Sequence, residues 1–101
     1  MKLLVITAVE EFAKEIRIML KKSHISIYSY KKVKGFRDLS EESIERNWFA
    51  GEMDISRSII FFAFVKETNV DHFFTIAEEF NEKQKTLSKI HVVVLNIEKS
   101  N

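Results

Sequence analysis

The sequence contains no cysteine, no proline and only two glycines. Without cysteine it forms no disulfide, holds no cysteine-ligated zinc or iron–sulfur cluster and performs no thiol chemistry, a composition that suits a reducing compartment. Without proline, and with Gly35 and Gly51 both in one middle stretch, few tight turns are expected. An excess of one charge is also missing: 16 Lys+Arg face 15 Asp+Glu, a formal net charge of +1, unlike the strong positive field of a dedicated nucleic-acid binder. No apolar run approaches the roughly 20 residues of a membrane span. The stretch Met1–Thr7 carries one cation before the acidic pair Glu10-Glu11, too short an apolar region for a signal peptide. These absences predict a cytoplasmic protein with no direct insertion into a membrane.

What is present is a regular pattern of apolar residues. At 101 residues, 46% of them hydrophobic, the chain is long enough for one packed core and too short for two. Residues 2–7 form an apolar run that suits a buried strand. Thr7-Ala8-Val9-Glu10 has the spacing of a capping box, and Val9, Phe12, Ala13, Ile16, Met19 and Leu20 follow the helical repeat, which predicts an amphipathic helix over 9–22. Residues 25–34 alternate as a half-exposed strand, and 58–65 form a strand that is apolar on both faces. A second capping box at Thr68–Asp71 introduces a helix over about 69–84, whose inner stripe is Val70, Phe73, Phe74, Ala77 and Phe80; residues 89–97 make a last strand. Strand, helix, strand, strand, helix, strand is the order of an α+β, ferredoxin-like βαββαβ sandwich. Right-handed crossovers then put both helices on one face of a four-stranded antiparallel sheet.

That arrangement leaves the second sheet face to water, and the strands bounding it should alternate apolar with polar. Two of them do not. Strand 58–65 presents Ile59, Phe61, Ala63 and Val65 on one side and Ile60, Phe62 and Phe64 on the other, and the last strand sets Ile90, Val92 and Val94 against His91, Val93, Leu95 and Ile97. Each such side chain is worth about 1.5–3 kcal/mol when buried. A symmetric homo-oligomer that packs sheet faces together resolves the excess; a loop or the polar tail folded over the face is the alternative.

The second and third strands should form a hairpin, yet residues 35–57 separate them, far more than the roughly 2–5 residues of a hairpin loop. Ser40 can cap a short helix through 41–46, and Trp48, Phe49 and Met53 bring apolar surface into an otherwise charged segment. Two readings follow: an arm whose aromatic tip docks on a partner, or aromatic residues folded back onto the same assembly.

From Met1 to Val33-Lys34-Gly35-Phe36 the sequence resembles the PII signal-transduction proteins without a gap. In that family the Val-Lys-Gly-Phe stretch closes the second strand and opens a long loop, here at about 36–57, and Val70-Asp71 and Lys89-Ile90 continue the likeness in the second helix and fourth strand. The resemblance implies a single PII-like domain over residues 1–101 and a compact homotrimer with sheets facing inward. It implies a non-catalytic regulator that binds a small effector, an adenine nucleotide or a small anion, in clefts between subunits. Such a protein acts through its loop on a membrane transporter or another protein. By resemblance, Ser29 stands at an adenine contact, Gly35 and Phe36 at the loop base, Arg37 where a glycine usually lets the backbone approach phosphate, and Lys89, with Ser88 beside it in the ligand site, at a phosphate-facing position; Trp48, Phe49 and Met53 would meet the partner. The sequence also departs from the family pattern. Its phosphate loop reads Lys83-Gln84-Lys85-Thr86-Leu87-Ser88 with no glycine, Leu39 replaces an amide side chain, and Ser100 and Asn101 stand where arginines clamp phosphate. Lys83, Lys85 and Lys89 can still hold a smaller anion, or can simply be the solvated end of a helix.

Other chemistry is poorly supported. His24, His72 and His91 are not spaced as a local metal motif, and no metal ligand is assigned. His91 reads as an interface histidine, or else as part of a site shared across a trimer axis, as a divalent metal-responsive CutA-like or PII-like metal-tolerance protein would need. Glu10-Glu11, Glu41-Glu42 and Glu78-Glu79 are adjacent on helices and do not face each other, and no nucleophile or phosphate-loop motif is present, so no catalytic residue is expected. Ferredoxin-like monooxygenases build a pocket lined with His, Asn or Trp between helices and sheet, whereas the single tryptophan here lies in the arm.

Overall fold

The computed structural model describes residues 1–36 and 55–101. Within them the chain forms β1 (Lys2–Val9), a 3-10 turn (Glu10–Phe12), α1 (Ala13–Lys22), β2 (Ser29–Phe36), β3 (Ile55–Val65), α2 (Glu67–Lys83) and β4 (His91–Asn96). Every neighbouring strand pair is antiparallel, and the strand order across the sheet is β2-β3-β1-β4. This is the ferredoxin-like α+β arrangement that the order of elements predicts.

The two-residue period of the strands sorts side chains between the faces. Leu4, Ile6 and Ala8 of β1 stand opposite Ala63, Phe61 and Ile59 of β3, and Leu4 and Ile6 also stand opposite Val94 and Val92 of β4. The helices close over this face with Ile16, Met19 and Leu20 from α1 and Val70, Phe73 and Ala77 from α2. Phe12 and Phe80 tie the two helical segments together edge to face, with ring centres 5.1 Å apart. The other face carries Phe62 at 41% exposure, Phe64 at 65% and Leu95 at 45%, with Val5, Ile60 and Val93 half-buried among them. The apolar surplus read from the strands is therefore real, and it lies on the face the helices leave open.

Three local expectations are corrected. Thr7 does not cap a helix: it lies within β1, buried, opposite Ile60 and His91, because strand pairing extends to Val9 and outcompetes a local cap. The helix starts instead through the 3-10 turn, with no side-chain cap. Thr68 does not cap α2 either. The helix begins at Glu67, two residues past the buried Val65, with Lys66 as the uncapped boundary residue and the Asn69 amide on the Lys66 carbonyl at 3.0 Å. An immediate reversal there sets Val70 and Phe73 down on the sheet.

Finally, β2 starts at Ser29 rather than at residue 25, because residues 23–25 close α1. The Ile25 amide donates to the Leu20 carbonyl at 2.9 Å and the His24 amide to the Lys21 carbonyl at 3.1 Å, the paired bonds of a Schellman ending. Its left-handed residue is His24, with φ of 60°, where glycine is the usual occupant. Ile25 and Leu20 are both buried, the apolar contact that accompanies this motif.

Candidate functional site

The positions singled out by resemblance fall into two groups. Ser29 opens β2, exposed and level with Phe62, and Gly35 and Phe36 close the same strand opposite Ser56 and Ile55. Gly35 is buried. Ser88 and Lys89 precede β4, at the opposite edge of the sheet. Arg37, Trp48, Phe49 and Met53 lie outside the described residues, as does the expected short helix over 41–46.

Two strands separate β2 from β4, so at about 4.8 Å per strand spacing the edges lie roughly 14 Å apart. They are nonetheless level with each other: His91 pairs with Thr7, Thr7 with Ile60, and Ile60 with Lys31. A single chain thus presents each half of the candidate site on a different edge. It cannot close both halves on one small anion.

The half beside β4 is organised by a residue the sequence reading missed. Asn81, in the last turns of α2, donates from Nδ2 to the Ile90 carbonyl at 2.9 Å and accepts the Ile90 amide on Oδ1 at 2.8 Å. The amide side chain behaves as a surrogate strand for Ile90, whose own side chain is buried. Lys89 Nζ donates to the Asn81 backbone carbonyl at 2.8 Å, so its ammonium sits against the negative end of α2. Together these contacts fix the chain entering β4 without glycine. The Ser88 amide reaches Thr86 Oγ1 at 3.3 Å, and Lys83 and Lys85 are exposed. The sequence signal for this clamp was an asparagine in a helix's final turns, followed within nine residues by an apolar strand. Without a partner position to pair it with, that signal is weak.

His91 is half-buried on the open sheet face, beside Val93 and Leu95 in the alternation of β4, and burial pushes its imidazole below the ordinary pKa. Among the described residues, no three His, Asp or Glu side chains gather as a metal site. No helix among them is long and apolar enough to cross a membrane.

By sequence, no family model and no curated protein matches the chain. By structure the likeness is clear. CPII, a nitrogen regulatory PII-like protein from Thiomonas intermedia K12 solved with ADP, AMP and bicarbonate, is 15% identical, with a TM-score of 0.60 over 95% of this chain and 92% of that one. The GlnK–ATP complex of B. subtilis is 14% identical, with a TM-score of 0.63 over 93% of this chain and 80% of that one. The likeness first read from Val33-Lys34-Gly35-Phe36 holds through the whole architecture: this chain has the fold of the PII-like nitrogen regulatory proteins.

Proposed function

We propose that the protein is a divergent PII-like regulator without catalytic activity, working in the cytoplasm as a homotrimer. It senses a small effector at the seams between subunits and acts on a transporter or another protein through the arm at 36–57. The observation that carries this reading is the open sheet face, where Phe62 at 41% exposure, Phe64 at 65% and Leu95 at 45% lie together. A face of that kind is costly to leave wet and is sheltered when copies pack face to face.

The separation of the candidate residues supports the same reading. Ser29, Gly35 and Phe36 occupy one edge strand and Ser88 and Lys89 flank the other, so a second copy completes a site that one copy divides. The effector is a nucleotide or a small anion, as in the PII-like neighbours solved with ADP, AMP and bicarbonate or with ATP. Since the turn into β4 has no glycine and Lys89 already caps a helix carbonyl, a compact anion suits it better than a triphosphate chain.

Light scattering behind size exclusion tests the assembly: the expected mass is three times 11.9 kDa, and a stable monomer at high concentration would sink the proposal. Calorimetry with ATP, ADP, AMP and bicarbonate tests the effector. Lys89→Ala is expected to weaken any binding seen by at least about tenfold, and unchanged binding would leave Lys89 with a capping role alone.

A further inference from the structure

A second feature lies on the helix side of the sheet. β2 is an edge strand that α1 covers only in part, which leaves an open groove of about 1130 Å³ between them. Among the described residues, four cations line it, Lys14, Arg17, Lys21 and Lys32, and no carboxylate does, in a chain whose acids and bases are nearly equal in number. Glu10 reaches Lys32 at 3.0 Å from outside the lining. The floor is apolar and aromatic, from Ile25, Tyr28, Tyr30 and Ile59, and Ile18 contributes a side chain that is 46% exposed.

Arg17 is held in position. Its Nε donates to Tyr28 Oη at 3.2 Å, and its guanidinium carbon lies 5.9 Å from the centre of the Tyr30 ring. Tyr30 in turn packs on the buried Phe61 with ring centres 5.2 Å apart. A guanidinium has five N–H donors, and the bond to Tyr28 uses one. Lys14, Arg17 and Lys21 follow one another at three and four residues on a single helix face, so they rise by about 4.5 and 6 Å along its axis. Side chains on one side of an extended peptide recur about every 6.6–6.8 Å. A compact anion would engage one of these cations, whereas an extended acidic segment can engage the row and lay apolar side chains on the floor.

We propose that the groove between α1 and β2 docks an acidic, extended segment of a partner polypeptide, with carboxylates on Lys14, Arg17 and Lys21 and an apolar or aromatic residue beside Ile18 and Tyr30. This surface is separate from the open sheet face and needs no bound effector. The test is fluorescence anisotropy on the full chain at low salt, with a labelled synthetic peptide alternating glutamate and phenylalanine as the probe. Arg17→Glu with Lys21→Glu is expected to weaken binding at least tenfold, and Ile18→Ser about threefold. Lys66→Glu with Lys99→Glu makes the same charge change outside the groove lining and is expected to bind as the native chain does. Arg17, Ile18, Lys21, Lys66 and Lys99 are exposed, and circular dichroism checks that each variant is folded. Equal losses in the two charge-reversed pairs, or no binding at millimolar peptide, would overturn the proposal. So would a variant with the carboxylates of residues 37–54 changed to amides that binds at least tenfold more tightly than the native chain, since the groove would then belong to the chain's own arm.

Discussion

Replacing Asn81 with alanine should destabilise the protein well beyond what a half-buried polar residue normally contributes. Its side chain makes two hydrogen bonds, at 2.9 and 2.8 Å, to the carbonyl and amide of Ile90, a residue only 3% exposed. Each bond contributes a net ~0.5–1.5 kcal/mol, and a buried backbone group left without a partner costs about 1–3 kcal/mol. Some of that penalty is relieved by water at this part-buried position, so a total near 2 kcal/mol is expected. For a domain of this size that lowers Tm by about 10 °C. The Lys89 contact is to the backbone carbonyl of Asn81, so it survives the substitution and does not enter the sum. Asn81→Asp keeps the acceptor for the Ile90 amide but sets a carboxylate oxygen against the Ile90 carbonyl in place of the donor, so a loss at least as large as that of alanine is expected. Urea unfolding at one fixed subunit concentration measures both, because assembly would couple stability to concentration. A loss below about 0.5 kcal/mol for Asn81→Ala, with unchanged denaturant slope, would show that the clamp does not hold β4 in place.

Three further outcomes follow. His24→Gly should raise stability by roughly 0.5–1 kcal/mol in the same assay, because His24 adopts φ of 60° to close α1 and glycine does so without a side-chain clash. Phe62→Ser with Phe64→Ser should convert an assembly to folded monomers by light scattering, since both side chains lie on the open face and outside the core; an unchanged mass would place the interface elsewhere. Burial lowers the His91 pKa in the folded chain, so the unfolded chain binds more protons on acidification. The stability that neutral His91 contributes is complete above its ordinary unfolded pKa near 6.5 and declines as pH falls through the lower folded value. His91→Gln should flatten this fall in urea titrations between pH 7 and pH 5.

The architecture was legible because each element carries its own period. The helical repeat through Ile16, Met19 and Leu20 and through Val70, Phe73 and Ala77 marked both inner helix faces, and all six are buried. The failure of β3 to alternate announced an apolar open face, and Phe62 and Phe64 stand there. The capping boxes misled because a four-residue motif competes with an entire strand ladder. Thr7 is paired with Ile60 and His91 and Val65 is in the core, which leaves neither local cap its geometry. The helix end at Lys22 was legible, but the left-handed closure that follows it was missed for the opposite reason: His24 does what glycine usually does, and composition gave no warning.

The sequence by itself determined the order of elements, the faces the helices bury and the surplus of apolar surface, since these depend on periodicity and on transfer of side chains from water. Tertiary structure alone decided which distant residues meet. The sheet order sends β2 and β4 to opposite edges, dividing Ser29, Gly35 and Phe36 from Ser88 and Lys89. Packing of α2 against the start of β4 brings Asn81 onto Ile90, and the partial cover of β2 by α1 gathers Arg17, Tyr28 and Tyr30. Such contacts join residues whose local sequences carry no information about each other, so only the closed chain specifies them.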